Sequence, residues 1–519
     1  MAGLKSFPGL TANERTVSPS VQVGMTFYPH ENDPIFPRRS TKPIAINWDR
    51  KRTQAALQSL HWGKVNGQAS GTWEATVKDN APYQLDIAEG DILPGDWADI
   101  VIVRNGVEIP ICRGPVSAVN LDRSGAGGAT VRTWHLSGKD HGAAWETPLN
   151  YSNMWVQSLQ VIVEGMMTRR VRMKIGGDPA EMFEILLEAA FGSAASAAIW
   201  KLPQSMPVNA HGGQYLFSAL DVLAGVTRGG YYNEPYLWQG TGQNTHQVLQ
   251  DWCNPLMNEM IYDLSIDPSY QQTGFAGANL AARIRERPFP VTASSGLSYI
   301  PPTPVMALPR GASEIETASI AIGSDGLWFR LPRWDLPMWC CPNISVGRNG
   351  SERFNLFELL ADIGFGGERY EQIAQAKPSW YRESIERFGL NTLLETSKFV
   401  AGKTTNDMLA GWVRERENWQ RLLVQWYALN PWFLSGQITA RLAIPDVRVG
   451  HRLRLMPTSG NVKNSTTFYV EGVDLNIARS GTGPVISKTT LSVTRGWPGE
   501  ELDILTAIEK VAGQYKEQF

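Results

Sequence analysis

His135, Asp140, His141 and Glu146 form the densest grouping in this chain of side chains able to hold a metal or move a proton. Imidazole and carboxylate donors suit Zn²⁺, but their spacing matches no recognised zinc pattern. His135 also sits on an alternating stretch beside Trp134, so polar groups at a strand end are the ordinary account. The pairs Glu184/Glu188 and Glu383/Glu386 carry the chemistry of a glycosidase acid pair. Their helical spacing marks one solvated face, however, unless something desolvates a carboxyl group. Cys112, Cys253 and the adjacent Cys340 and Cys341 contain no C-x-x-C and make no disulfide framework. No P-loop occurs, and His30–Glu31 lacks a second His four residues on. Gly323–Gly326 is a turn tetrad rather than a nucleophile elbow. The basic groups Arg169–Arg172 and Arg283–Arg287 could contact phosphates, but their alternation equally suits strands that pair with another subunit. No catalytic residue, metal ligand or cofactor site is therefore expected, and the chain is not expected to be an enzyme.

Composition points to contact surfaces instead. The 519 residues are 43% hydrophobic and only 19% charged, with a net charge of -2. That length suggests about three or four domains, and the charge fraction lies below the roughly 25% usual for soluble chains. Near-neutrality argues against a dedicated nucleic-acid binder. The 49 Gly and 32 Pro favour turn-rich β structure. Trp, at 19, outnumbers Phe at 17 and Tyr at 15, and such rings concentrate in cores and interfaces. Arg exceeds Lys by 33 to 15, which fits either interfacial pairing or genomic base composition. Neither a signal peptide nor a membrane span is expected, so synthesis in a cytosol is.

The elements that would position these residues divide the chain unevenly. Residues 1–40, with five prolines, read as an extended N-terminal arm. Over 41–150 apolar residues alternate (Trp73, Ala75, Val77), Ile100–Val103 is a buried strand, and Asn105–Gly106 marks a hairpin. Residues 151–260 read as a mostly helical insertion, with helices at Asp178–Phe191, at Tyr215–Leu223, and from Thr245 to before Pro255. A mixed α/β stretch is expected at 261–400, with a loop at 292–315, and a long helix at 401–434. Trp412, Trp419 and Trp426 recur at sevens on one stripe of that helix, which suits core packing or a neighbouring chain equally. A second β region at 435–498 and a short helix at 499–519 complete the chain.

The two β regions share their punctuation. Gly95–Asp96, Gly114, Asn120–Gly125 and Leu136–Gly138 in the first correspond to Gly450–His451, Gly472, Asn476–Gly481 and Leu491–Val493 in the last. Equal turn spacing implies equal strand lengths, hence two similar small barrels. At this point several segments together resemble the baseplate (tail) hub proteins of tailed bacteriophages. Leu93–Trp97 with Arg113–Val116 and Leu136–Asp140 resembles that family's "PGD-W/V … G-x-V … GrD" strands and turns. Asn254–Asp263 resembles its "NP-x-x-NE" segment and Arg285–Phe289 its "R-x-x-PF" strand. Asn430–Gly436, Val449–Gly450, Tyr469–Val473 and Thr494–Gly496 are similar to its closing barrel. Residues 1–40 and about 300–385 carry no match.

The resemblance implies an α+β, mainly β fold: two similar small β-barrel domains with inserted mixed α/β domains, in a ring-forming homotrimer. Six barrels from three chains would stack on a six-fold tail tube, while the other face receives a trimeric central spike. Surrounding baseplate proteins would be further partners, and genomic DNA would pass through during ejection without sequence-specific binding. The expected location is the virion tail. The expected interfacial residues are Gly95, Asp96, Trp97, Gly114, Gly138, Gly450, Gly472, Arg495 and Gly496 at the barrel landmarks, and Trp412, Trp419 and Trp426 on the helix. Two rivals remain open: a tail-associated peptidoglycan-degrading enzyme, which needs a cleft with two carboxylates, and a tail-tip glycan binder using exposed Trp.

Overall fold

The computed structural model describes residues 21–30, 41–47, 56–79, 89–104, 107–126, 129–146, 219–222, 258–265, 279–288, 331–348, 353–361, 379–380, 382–397, 434–457, 465–479 and 485–498, with a few single positions between them. They are mostly strand. The first half supplies β1 (Val21–Tyr28), β2 (Ile44–Asn47), β3 (Leu57–Val65), β4 (Thr72–Asp79), β5 (Trp97–Arg104), β6 (Val107–Ala126) and β7 (Ala129–Lys139). Then follow β8 (Ala219–Val222), β9 (Asn258–Ser265), β10 (Asn279–Glu286), β11 (Arg333–Pro337), β12 (Asn343–Arg348), β13 (Leu356–Ala361) and β14 (Ser379–Trp380). A short helix α1 (Arg382–Phe388) and β15 (Thr392–Ser397) precede β16 (Leu434–Ala440), β17 (Arg452–Met456), β18 (Thr466–Arg479) and β19 (Val485–Pro498).

Period-two patterning explains the strands. Along β4, Trp73, Ala75 and Val77 are buried while Glu74 is exposed, which places alternate side chains on opposite faces. Along β1, Val21, Val23, Met25 and Phe27 are buried in the same alternation. The hairpin expected at Asn105–Gly106 is present, since Arg104 pairs with Val107 across a two-residue connection.

The two closed barrels expected from the glycine pattern do not form among the described residues. The principal sheet is an open, 13-stranded path, β12-β16-β19-β18-β3-β4-β7-β6-β5-β1-β2, with β17 beside β18 and β11 beside β17. The cause lies in β3. One of its edges pairs with β4, and the other pairs antiparallel with β18 from Val65↔Gly472 to Ser59↔Ala478. The edge that would close the first region on itself is thus occupied by the last region. A single apolar core follows, running from Val21 and Phe27 through Leu60, Trp62 and Leu136 to Leu453, Leu475 and Val493.

Two further expectations change. Val21–Tyr28, within the segment expected as an arm, is β1 and pairs with β5 on one edge and β2 on the other. Ala219–Val222, expected inside a helix, is β8 and pairs parallel with β10, which also holds β9 in a small three-stranded sheet. A second small sheet has the order β14-β13-β15. The helix at Asp178–Phe191, the loop at 292–315, Trp412, Trp419 and the helix at 499–519 lie outside the described residues.

Candidate assembly interface

The glycine landmarks build the same device twice. Leu93–Asp96 is a tight turn in which Asp96 N–H donates to Leu93 O at 3.1 Å, and Arg448–His451 repeats it with His451 N–H donating to Arg448 O, also at 3.1 Å. The third residue of each turn needs a positive φ, and Gly95 (94°) and Gly450 (84°) supply it without a Cβ clash. Each glycine N–H then reaches the next long strand, Gly95 to Val116 O and Gly450 to Val470 O, both at 2.8 Å. Each valine returns the bond, Val116 N–H to Asp96 O and Val470 N–H to His451 O. Even the side chains play one part: Asp96 Oδ2 accepts from Leu93 N–H, and His451 Nδ1 accepts from Arg448 N–H.

The strand that follows bulges at the same place in both copies. Between β6 and β7 the register shifts from Val116↔Gly138 to Ala118↔Ser137, and between β18 and β19 from Val470↔Val493 to Gly472↔Ser492. Beyond the bulge Val119 faces Leu136 and Val473 faces Leu491. The flanking strands correspond too: β4 and β16 place Ala75 and Ile438 opposite those same two leucines. Leu136–Gly138 and Leu491–Val493 are therefore equivalent, as the punctuation suggested. Gly472 is equivalent to Ala118, not to Gly114, and Asp474 rather than Asn476 corresponds to Asn120. The glycine punctuation and the strand registers align differently because the glycines mark different needs. Gly114 sits where a Cβ would lie 2.2 Å from Lys139 O, whereas Gly472 follows the bulge.

The sequence-derived site residues are mostly buried parts of this device. Asp96 is wholly buried, its Oδ1 accepting from His30 N–H at 3.1 Å, and Trp97 beside it is buried as well. A Cβ on Gly138 would lie 2.4 Å from Pro115 O and 2.5 Å from the Trp73 ring. Gly496 has no room either, with Phe468 2.4 Å from an added Cβ. Arg495 adopts a positive φ of 54°, beside the bulge between β16 and β19. Its guanidinium lies 3.7 Å from the centroid of Trp426 and donates to Trp426 O at 3.0 Å. Trp426 is buried, edge-on to Tyr469, whose hydroxyl donates to Glu259 at 2.8 Å. The structure thus joins Arg495, Trp426 and the Glu259 segment in one packed corner.

The four residues with metal-binding chemistry separate. His135 Nε2 pairs with Asp122 on the exposed face of β6 and β7. Asp140 is buried against Lys64 Nζ and also accepts from Gly142 N–H at 2.9 Å. Glu146 takes Ser70 Oγ and Lys139 Nζ, and His141 is buried. Among the described residues, no group of three or more His, Cys, Asp or Glu could hold a metal ion. Burial, then the nearby Asp140 carboxylate, pushes the Cys112 thiol well up, which leaves it protonated and unreactive. Glu386 pairs with Arg382 on α1 at 2.7 Å, both exposed, so its carboxylate is solvated.

No protein-family model matches the chain, and no curated protein matches it. Several solved structures are similar over most of its length. One is a tail protein from Neisseria meningitidis MC58, at 11% identity and a TM-score of 0.43, with 92% of this chain and 96% of that one covered. Another is the 43 kDa tail protein of prophage MuSo2 from Shewanella oneidensis, at 10% identity and 0.41, covering 91% and 98%. A third is the Francisella PdpA–VgrG complex, at 9% identity and 0.41, covering 92% of this chain and 53% of that one. At such identities and TM-scores the likeness assigns neither a family nor a function.

Sequence reasoning missed the open strand edges. Among the described residues, β6 after Val116 pairs with β7 on one side only, and β12 pairs only with β16. Backbone hydrogen-bonding groups leave no mark on residue type, so no pattern in the sequence exposes them. Among the described residues, no helix is long and apolar enough to cross a membrane.

Proposed function

We propose that this chain is a structural hub of a phage tail, a homotrimeric ring that adapts a six-fold tail tube to a three-fold spike and encloses the passage for DNA. The observation that carries this reading is the duplicated device of turn, clasp and bulge, placed twice in one continuous sheet. A ring of identical chains repeats every surface patch once per chain. A chain that carries the same strand unit twice presents it six times in a trimer, which is what a six-fold partner requires. The buried landmarks set the shape of that unit, and its exposed strands and loops meet the neighbours. The protein is a component of the virion tail baseplate, made in the host cytoplasm, with tube, spike and surrounding baseplate proteins as partners. DNA passes through it without sequence readout, in keeping with the near-zero net charge.

Mass by light scattering on the purified protein, together with projection images, tests the reading. The expected result is three times the chain mass and a three-fold particle with six equivalent lobes. A stable dimer or a hexamer would overturn it. So would clearing of a peptidoglycan zymogram that is lost on mutating a single carboxylate.

A further inference from the structure

The strand order holds two equivalent four-strand runs, β12-β16-β19-β18 and β3-β4-β7-β6. The registers above equate β18 with β6 and β19 with β7. They also equate β16 with β4, since Gly436 and Trp73 face the equivalent Val493 and Gly138. One strand further out, Val346 pairs with Gly436 and Trp62 with Trp73, so β12 is the counterpart of β3. Gly347 and Arg348 then fall on Gly63 and Lys64, keeping glycine and positive charge in place. Within the chain the last strand of one run, β18, pairs with the first strand of the other, β3. The remaining last strand, β6, has β5 beside that edge only as far as Pro115; among the described residues no strand lies beside it from Val116 on, or beside the outer edge of the remaining first strand, β12.

Exposure follows this difference. In β18, Gly472, Val473, Leu475 and Ile477 are buried beneath the β3 junction, whereas Ala118, Val119 and Leu121 on β6 are half-buried and Asp122–Ser124 are exposed. Leu60 on β3 is fully buried, while its counterpart Ile344 on β12 is 36% exposed. A Cβ on Gly63 would meet Asp474 at 3.6 Å, but one on Gly347 would meet nothing within 4 Å. An open strand edge is a template for another strand, and each of these has its proper neighbour already displayed elsewhere in the same chain.

We propose that β12 of one copy pairs antiparallel with β6 of a second copy, in the register that β3 and β18 use within the chain. The pairs are Val119 with Arg348, Asn120 with Gly347, Leu121 with Val346, Asp122 with Ser345, Arg123 with Ile344 and Ser124 with Asn343. The diagonal pair His61–Asp474, at 2.6 Å across the internal junction, becomes Ser345 and Asn120, a neutral hydrogen-bonding pair. Such a head-to-tail contact uses two different surfaces of each copy, so it closes a ring when its rotation divides the circle. The proposal rests on the ring reading only for the number of copies; the pairing itself rests on the duplicated registers.

Cysteine cross-linking tests it. Asp122 and Ser345 are both exposed, so Asp122→Cys and Ser345→Cys leave the core untouched, which far-UV circular dichroism checks. On mild oxidation, an equal mixture of D122C and S345C proteins is expected to give a covalent dimer that neither variant nor wild type gives alone. The double variant D122C/S345C is expected to give one closed species of three chains on a non-reducing gel. R123C mixed with S345C is the control: a one-residue slip points the two thiols to opposite faces, and no link is expected. The pairing is overturned if D122C and S345C do not link, whether the protein stays monomeric at its highest soluble concentration or forms a trimer by light scattering. The trimer without a link would leave the ring reading standing. Equal linking of R123C with S345C also overturns the register. A D122C/S345C species closed at another number would support the pairing and overturn the three-fold hub.

Discussion

His246 shows how a single side chain ties separate segments together. Its Nε2–H donates to Gly67 O at 3.1 Å, in the turn between β3 and β4, and its Nδ1 lies in hydrogen-bond contact with the Tyr262 hydroxyl of β9 at 2.5 Å. Burial lowers its pKa below the ordinary histidine value, against smaller upward effects from the Gly67 carbonyl and from Glu146. The folded state therefore binds a proton less readily than the unfolded chain. The stability this contributes is complete above the unfolded value of about 6.5 and is lost as pH falls below it. His246→Gln is expected to cost about 1–2 kcal/mol at pH 7.5, the scale of one buried hydrogen bond left poorly made. Urea unfolding of both proteins checks this from pH 7.5 down to pH 5. The gap between them should narrow towards the acid end, because only the wild type carries this group. A gap that widened there would assign the site to a charged, not a neutral, imidazole.

At the scale of elements, strands were the legible part of this sequence and their neighbours were not. Alternation at Trp73–Val77, the apolar run Ile100–Val103 and the Asn105–Gly106 turn each identify local structure that backbone geometry alone dictates. Tyr215–Leu223 misled because four residues too short to show a period carry β8, which exists through its pairing with β10. The glycine spacing revealed the duplication but misaligned its interior, since a bulge adds a residue without altering composition. Partner choice also escapes the sequence at β11, which lies outside both four-strand runs. It is held parallel to β17, with Asp335 directly facing Arg454. That pair is bidentate, Nε to Oδ1 at 2.8 Å and Nη2 to Oδ2 at 2.6 Å, and both side chains are largely buried. Asp335→Ala leaves a buried guanidinium uncompensated and is expected to destabilise the fold by about 3–5 kcal/mol. Amide exchange should quicken first across Arg333–Pro337. An equal loss without that local opening would place the anchor of β11 elsewhere.

At the scale of the whole molecule, the junction between β3 and β18 decides whether the described principal sheet has two cores or one. Leu475 and Leu60 lie on either side of it, both essentially fully buried, within the core that runs from β1 to β19. Arg448, in the turn before β17, crosses to donate to Ile111 O at 3.2 Å and to Pro110 O on β6. Such shared burial couples the halves, because neither can lose its strands without exposing apolar surface on the other. Two independent barrels would instead melt separately, each at its own stability. Leu475→Ala should therefore lower the stability of the described sheet as a unit, by about 2–5 kcal/mol, through lost transfer energy and the cavity left behind. Tryptophan fluorescence and far-UV circular dichroism, followed together through a denaturant titration, should move to the same lower midpoint. Trp62, Trp73, Trp97 and Trp134 report the first region, and Trp334, on β11 beside β17, reports the packing against the last, so separated midpoints after the substitution would show two cooperative units. One shared transition is the expectation from a core that the two duplicated units build between them.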